Sequence, residues 1–330
     1  MKILVIGCGS IGERHIRNLK GLSMGEIIAC DTDQKRLSAI GKKYDIQTCA
    51  DIRRTLSKSI DATLVCTPPS THIPIARKVI DSGAHIFIEK PLSHSLKGVD
   101  ELIERAGKKN LTILVGYNLR FHPGLALVKK LCDRGEVGRI LSARAEVGQY
   151  LPDWRPWQDY RRSYTARKKL GGGIILDGSH ELDYMRWLLG EVEEVSCFAD
   201  KLSHLEVDTE DTAEVLLKFR SGAIAGVHLD FIRRDYARNC ELVGEGGTIV
   251  WSYPEALVKI YSARNKKWRV IKASSDPNEM YVREMRHFIR CVRGKENPLI
   301  DGKEGKKTLE IALAAKKSAE IGKIVRIGRG

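Results

Sequence analysis

Nowhere in the 330 residues is there an apolar run long enough to cross a bilayer. The longest, such as Ile3 to Ile6 and Leu111 to Val115, are strand-sized, against the roughly 20 residues that a spanning helix needs. An apolar leader ending in small residues is also missing: the chain opens Met1-Lys2-Ile3-Leu4-Val5-Ile6-Gly7 and goes straight into a strand. The expectation is a cytoplasmic protein with no membrane partner. The eight cysteines (8, 30, 49, 66, 132, 197, 240 and 291) form no Cys-x-x-Cys, and three sit at predicted interior strand ends or their turns. Reduced thiols are therefore expected rather than bridges or a zinc site, and no metal. Low-complexity tracts and internal repeats are absent too, which excludes a disordered, collagen-like or disulfide-stapled chain. Basic residues outnumber acidic ones, 56 to 42, for a net charge of +14. Yet no zinc-finger, RNA-recognition or helix-turn-helix signature accompanies them, and they are spread along the chain. Dispersed charge of this kind suits a solvated surface or small anionic ligands, not nucleic acid.

What is present is the composition of a globular enzyme-sized protein, 42% apolar and 30% charged, with length for about two domains. From residue 1 to about 120, short β-rich runs alternate with helix-period segments. The runs are Lys2–Ile6, Glu26–Cys30, Ala62–Cys66, His85–Ile88 and Thr112–Val115; the helical segments are Ile11–Gly21, Gln34–Tyr44, His72–Ser82 and Leu96–Lys109. That alternation predicts a parallel sheet with crossover helices, its strands buried on both faces. After about Phe121 the rhythm changes. A helix over Gly124–Arg134 leads into a strand near Ile140–Val147 and then a polar, aromatic loop. Seven closely spaced runs follow between Val192 and Ile271, with turn residues such as Ser221-Gly222 and Gly246-Gly247, and they predict an antiparallel meander. Helices at about Asn278–Arg293 and Gly305–Ile321 close the chain, with Ile324–Ile327 a candidate edge strand.

Immediately after the first strand stands Gly7-Cys8-Gly9-Ser10-Ile11-Gly12, opening a helix. Gly7 permits a tight turn, Gly9 lets backbone approach a pyrophosphate, Gly12 allows close helix-to-strand packing, and the helix N-terminus around Ser10 and Ile11 supplies N–H groups to the anion. The next strand ends in Asp31, at the roughly 20-residue spacing where a carboxylate accepts the ribose diol. A carboxylate there repels the 2′-phosphate of NADP, so NAD is the expected cofactor; Lys35-Arg36 just beyond keeps NADP open as the less favoured choice.

The fourth predicted strand runs into Glu89-Lys90-Pro91, placing a lysine at the carboxyl end of a parallel strand, where ligands bind in such sheets. Far downstream is Gly171-Gly172-Gly173-Ile174-Ile175-Leu176-Asp177-Gly178-Ser179-His180-Glu181-Leu182-Asp183. On one helix, Asp177, His180 and Asp183 at spacings of three would share a face.

Together these features resemble the Gfo/Idh/MocA oxidoreductases, the inositol and sugar dehydrogenase-like family. The resemblance runs nearly the whole chain, through Arg14-His15, Cys66-Thr67-Pro68, Glu89-Lys90-Pro91, Gly116-Tyr117-Asn118 with Arg120, the glycine-rich histidine segment and Trp187-Leu188-Leu189-Gly190. It implies an α/β fold class: an N-terminal Rossmann doubly wound parallel sheet (residues 1–120, NAD(P)-binding) plus a C-terminal α/β domain with a large open, mainly antiparallel sheet. That second domain (121–330) would serve substrate binding and oligomerisation, its C-terminal helices free to pack back on the first. Lys90 is implied as the substrate-side lysine, His180 as acid or base and Asp177 as a nearby carboxylate. The same resemblance implies Thr67 and Pro68 beside the cofactor, with His72, Glu89 and Lys90 as further cofactor-side residues. There is one departure. Many members separate the aspartate and the histidine by four positions, whereas Asp177 and His180 are three apart, so His180 keeps its relation to Asp183 rather than to a fixed partner carboxylate.

Oxidising a carbinol requires a proton to leave the hydroxyl as hydride leaves carbon. A histidine suits the base and a lysine stabilises the developing alkoxide, while the cofactor carries the redox step. Tyr117, Asn118, Arg120, Trp154, Arg155, Tyr164 and Asp183 are candidate substrate-side residues. Several belong to the aromatic, arginine-dense loop 150–169, which reads equally as an active-site cover or an ordinary contact loop. The expected partner is a cyclic polyol, sugar or nucleotide-linked sugar, with arginines available for a phosphate or carboxylate. A homodimer or homotetramer is also expected, because a sheet with helices on one side leaves a face to cover. Two other readings stay open: an NAD-dependent glycoside hydrolase using transient oxidation, and a non-catalytic NAD(H)-binding regulator.

Overall fold

The computed structural model describes residues 1–273 and 276–328. The chain divides into two compact units: Met1–Asn118 with Tyr281–Lys307, and Leu119–Met280 with Thr308 onward. No described helix is long and apolar enough to cross a membrane.

The first unit runs β1 (Lys2–Ile6), α1 (Ser10–Gly21), β2 (Glu26–Cys30), α2 (Gln34–Tyr44), β3 (Gln47–Cys49), α3 (Ile52–Leu56), β4 (Ala62–Val65), α4 (His72–Asp81), β5 (His85–Glu89), α5 (Val99–Lys108) and β6 (Ile113–Gly116). All pairings are parallel, in the order β3-β2-β1-β4-β5-β6, with the chain leaving β1 in one direction and returning beside it as β4. Ile3, Leu4 and Val5 of β1 are fully buried, as central strands covered on both faces require. Each such side chain contributes roughly 1.5–3 kcal/mol of burial. Helix α1 presents Ile16 and Leu19 to this core, and Met285, Phe288 and Ile289, from a later helix, close one side of it. The short β3 and α3 have no counterpart in the sequence reading. β3 is three residues long and mostly polar, so neither alternation nor an apolar run marks it.

The second unit holds α6 (Pro123–Asp133), β7 (Ile140–Gly148), α7 (Ile174–Asp177), α8 (Ser179–Leu189), β8 (Val192–Asp200), β9 (Thr212–Phe219), β10 (Ile224–Asp230), β11 (Ala237–Gly244), β12 (Gly247–Ser252), β13 (Leu257–Ser262) and β14 (Lys267–Lys272). Helices α9 (Glu279–Val292) and α10 (Gly302–Ile321) follow, with β15 (Val325–Arg326) at the end. The nine strands lie in the order β14-β13-β12-β11-β7-β10-β9-β8-β15. Every pairing is antiparallel except β10 with β7. Alternation is strict in β9, where Ala213, Val215, Leu217 and Phe219 are buried while Glu214, Leu216 and Lys218 are exposed. The loop after β7 is four short 3₁₀ turns: Leu151–Trp154, Tyr160–Arg162, Tyr164–Ala166 and Lys168–Leu170.

Candidate active site

In the first unit the loop after β1 is shaped by backbone sterics. Gly7 adopts φ +88°, and a Cβ there would meet the Cys66 carbonyl oxygen at 2.7 Å. At Gly12 a Cβ would stand 1.9 Å from the Gly7 carbonyl oxygen, so only glycine lets α1 start this close to β1. A Cβ built on Gly9 would meet nothing within 4 Å, so the space over the start of α1 is open, and no side chain caps the helix. The Asp31 carboxylate, buried at the end of β2, ties the loop down: its Oδ2 accepts from Cys8 N (2.7 Å) and its Oδ1 from Asp33 N (2.9 Å). Arg36 Nη1 donates to the same carboxylate at 3.1 Å.

Past β4, Thr71 Oγ1 donates to Pro68 O at 2.8 Å and lies 2.7 Å from Thr67 Oγ1. His72 is fully buried, with Nε2 2.7 Å from Thr67 O and Nδ1 3.0 Å from Pro91 O. It therefore ties the loop after β4 to the loop after β5. Burial pulls its imidazole below the ordinary range, with the two carbonyls and the Glu89 charge opposing. Glu89 closes β5, its Oε1 2.6 Å from Nε2 of the buried His15 on α1, and Lys90 is the next residue. Behind them, Glu284 of α9 is fully buried, and neither carboxyl oxygen has a hydrogen-bond partner. Burial, and then the nearby Glu89 charge, raise its carboxyl well above the ordinary range. Tyr117 and Asn118, just after β6, are buried.

In the second unit the glycine-rich segment is two helices, not one. Helix α7 ends at Asp177 and α8 begins at Ser179, so Asp177 does not continue the helical face of His180 and Asp183. The break falls at Gly178, where a Cβ would meet Ile174 O at 2.8 Å and the Leu229 side chain at 2.9 Å. Tyr164 OH donates to Asp177 Oδ1 at 2.7 Å, joining the 150–169 loop to α7. His180 lies buried in the first turn of α8. Asp183 accepts a two-pronged pair from Arg120, Nε to Oδ2 and Nη2 to Oδ1, both 2.8 Å, and a third bond from Thr308 Oγ1 at 3.0 Å. Trp154 Nε1 donates to Gln149 O (3.0 Å), with its ring edge-on to Phe231. The neighbouring Arg155 is half-buried.

The chain matches two family models: "Oxidoreductase family, NAD-binding Rossmann fold" over residues 1–117 and "GFO/IDH/MocA C-terminal domain" over residues 125–250. It is 32% identical to the myo-inositol 2-dehydrogenase of Thermotoga maritima, over 99% of this chain and 98% of that one. The chain belongs to the GFO/IDH/MocA oxidoreductase family. This oxidoreductase is also 27% identical to the scyllo-inositol 2-dehydrogenase (NAD(+)) of Bacillus subtilis, over 99% of its own length and 96% of the relative's. Its fold superposes on levoglucosan dehydrogenase solved with NADH and levoglucosan at TM-score 0.90, 21% identity and full coverage of both chains.

The loop geometry fits NAD, the cofactor of the family. A tight loop that requires glycine at positions 7 and 12 opens onto the start of α1, with a buried carboxylate at the end of the neighbouring strand. Among the described residues no group of three or more His, Cys, Asp or Glu side chains is placed to hold a metal ion. Sequence reasoning missed Glu284. One signal was available: Glu284 precedes Phe288 by four residues and so falls on the apolar stripe of α9, where an acid is out of place.

Proposed function

We propose that this oxidoreductase moves a hydride between NAD and a ring carbinol of a cyclic polyol, sugar or nucleotide-linked sugar, with Lys90 and His180 acting on the carbinol oxygen. The first unit binds the cofactor and the second supplies the substrate side. What carries the reading is the position of Lys90, directly after Glu89 at the carboxyl end of β5 and one strand from β4, in the sheet whose β1–β4 switch point carries the glycine loop. The similarity of the chain to inositol dehydrogenases supports a ring alcohol as substrate. Gly7, Gly9 and Gly12, with the N–H groups of Ser10 and Ile11, would hold the pyrophosphate; Asp31 would accept the ribose hydroxyls; Thr67, Pro68 and His72 would shape the neighbouring wall.

Bound NAD supplies the hydride acceptor. His180 removes the hydroxyl proton, and the Lys90 ammonium stabilises the negative charge gathering on the same oxygen. Asp177, held by Tyr164, anchors the end of α7, and Asp183, held by Arg120, anchors α8 one turn beyond His180. Lys90→Met and His180→Ala should each slow turnover by roughly 10²–10⁴-fold with myo-inositol or the best sugar found, leaving NADH affinity intact. The double variant should lose far less than the product of the two losses, because both groups act on one transition state. Near-normal turnover in either single variant removes that residue from the reaction.

The same reading includes self-association. On the nine-stranded sheet, Phe198, Leu216, Ile224, Trp268 and Val270 stand more than half exposed. Phe198, Leu216 and Ile224 stand on the neighbouring strands β8, β9 and β10, and exposed apolar side chains grouped in this way favour a second copy as their cover. Light scattering at micromolar concentration should give a dimer or tetramer; a monomer mass defeats this part.

A further inference from the structure

We propose that Cys30 and Cys49 form a redox-sensitive pair that closes into a disulfide under peroxide and thereby weakens NADH binding. The two residues are register partners on the neighbouring parallel strands β2 and β3. Adjacent strands lie roughly 4.7–4.9 Å apart, and residues in register send their side chains to the same face. Disulfides span Cα separations of about 4.4–6.8 Å, so this pair is already within bridging range. No other two cysteines of the described residues are register partners in any strand pairing.

The pair is also asymmetric in the way a reversible couple requires. Cys49 is partly exposed, on an edge strand of only three residues, and its Sγ makes one weak contact, 3.3 Å to Asp51 O. Cys30 is buried; burial, and next the charge of a neighbouring Cys49 thiolate, push its thiol up to about 11. Peroxide therefore meets Cys49 first. The Cys49 thiolate attacks one peroxide oxygen, the O–O bond breaks, and Cys49 becomes a sulfenic acid as hydroxide leaves and takes a proton as water. The Cys30 sulfur then attacks the Cys49 sulfur, releasing a second water. Overall two thiols and one hydrogen peroxide give one disulfide and two waters. A thiol pair reverses the step by exchange.

The link to the cofactor is covalent and short. Cys30 precedes Asp31, whose carboxylate holds the Cys8 N–H of the glycine loop at 2.7 Å, and Cys8 Sγ lies 3.6 Å from Cys30 O. Drawing Cys30 toward β3 moves the residue that sets both the ribose carboxylate and the loop. This coupling rests on the reading of Asp31 given above.

The test uses the full chain. Tryptic cleavage leaves Cys30 alone in the peptide of residues 21–35 and Cys49 alone in that of residues 44–53, so a cross-link between them is unambiguous by mass. After hydrogen peroxide treatment and catalase quenching, the cross-linked peptide should appear. NADH, followed by fluorescence, should then bind roughly ten- to a hundredfold more weakly, the range for losing hydrogen bonds to a carboxylate. Dithiothreitol should restore both. Cys49→Ser should bind NADH normally when reduced and keep that affinity after peroxide. Absence of the cross-link while Cys49 is oxidised to a sulfinic acid overturns the pair. Formation of the cross-link with unchanged NADH affinity overturns the coupling. Asp31→Ala in the reduced protein separates the two readings: unchanged affinity there overturns the ribose assignment and the coupling with it, whereas the cross-link is judged by its mass alone.

Discussion

The two units build their candidate sites by different means. In the first, the decisive positions are backbone positions: Gly7 and Gly12 are required because any Cβ would strike a carbonyl oxygen. In the second, they are side chains that hold one another, Arg120 with Asp183 and Tyr164 with Asp177. A site made of backbone is specified by residues that have no alternative. A site made of side-chain pairs is specified only when both partners are known.

This contrast can be broken by substitution. Gly12→Ala should have the largest effect, since its methyl would overlap the Gly7 carbonyl at 1.9 Å and α1 would have to move. NADH binding should fall below detection, and a variant that binds NADH normally by fluorescence would show that the loop has slack. Next is Arg120→Ala, which leaves the Asp183 carboxylate buried without its guanidinium. Loss of a buried pair by removing one partner costs about 3–5 kcal/mol. Urea unfolding should show that loss, and a change under about 1 kcal/mol would mean that Thr308 and water hold Asp183 alone.

The smallest effect sharpens the comparison within the first unit. Glu284 has its carboxyl raised by burial above the ordinary 4.5, so the folded state keeps a proton that the unfolded chain gives up. Stability from this group is complete below about pH 4.5 and is lost as pH rises toward the folded value. Glu284→Gln should therefore raise the melting temperature at pH 8 and change it little at pH 4.5. An equal shift at both values would assign the effect to packing instead.

What was legible in the sequence follows the same division. The glycine loop, Asp31 and the buried parallel strands were readable because sterics and two-sided burial leave few residue choices. The open antiparallel sheet was readable from alternation, as in β9. Three features were not. β3 lacks any apolar signal; the need for glycine at position 178 comes partly from Leu229, a residue 51 positions away whose approach no local pattern encodes; and the engagement of Asp183 by Arg120 spans 63 positions. The i, i+3 spacing that suggested one helical face was correct for His180 and Asp183 within α8 and failed at Asp177, where glycine ended the preceding turn.

The place of β7 has a consequence for how the chain comes to be made. It lies between β11 and β10, neither of which is its neighbour in sequence, and its parallel partner begins only at Ile224. During synthesis β7 emerges with both edges open and waits through the whole 149–223 segment for its first partner. The β8–β9–β10 and β11–β14 ribbons, by contrast, can zip as they appear. At about 5–20 residues per second, that wait is several seconds of exposed strand, the interval in which pairing with another nascent copy competes. Arg144, an exposed charge on this strand, is the kind of residue that discourages such pairing, and Arg144→Val should lower soluble yield before it alters the finished enzyme.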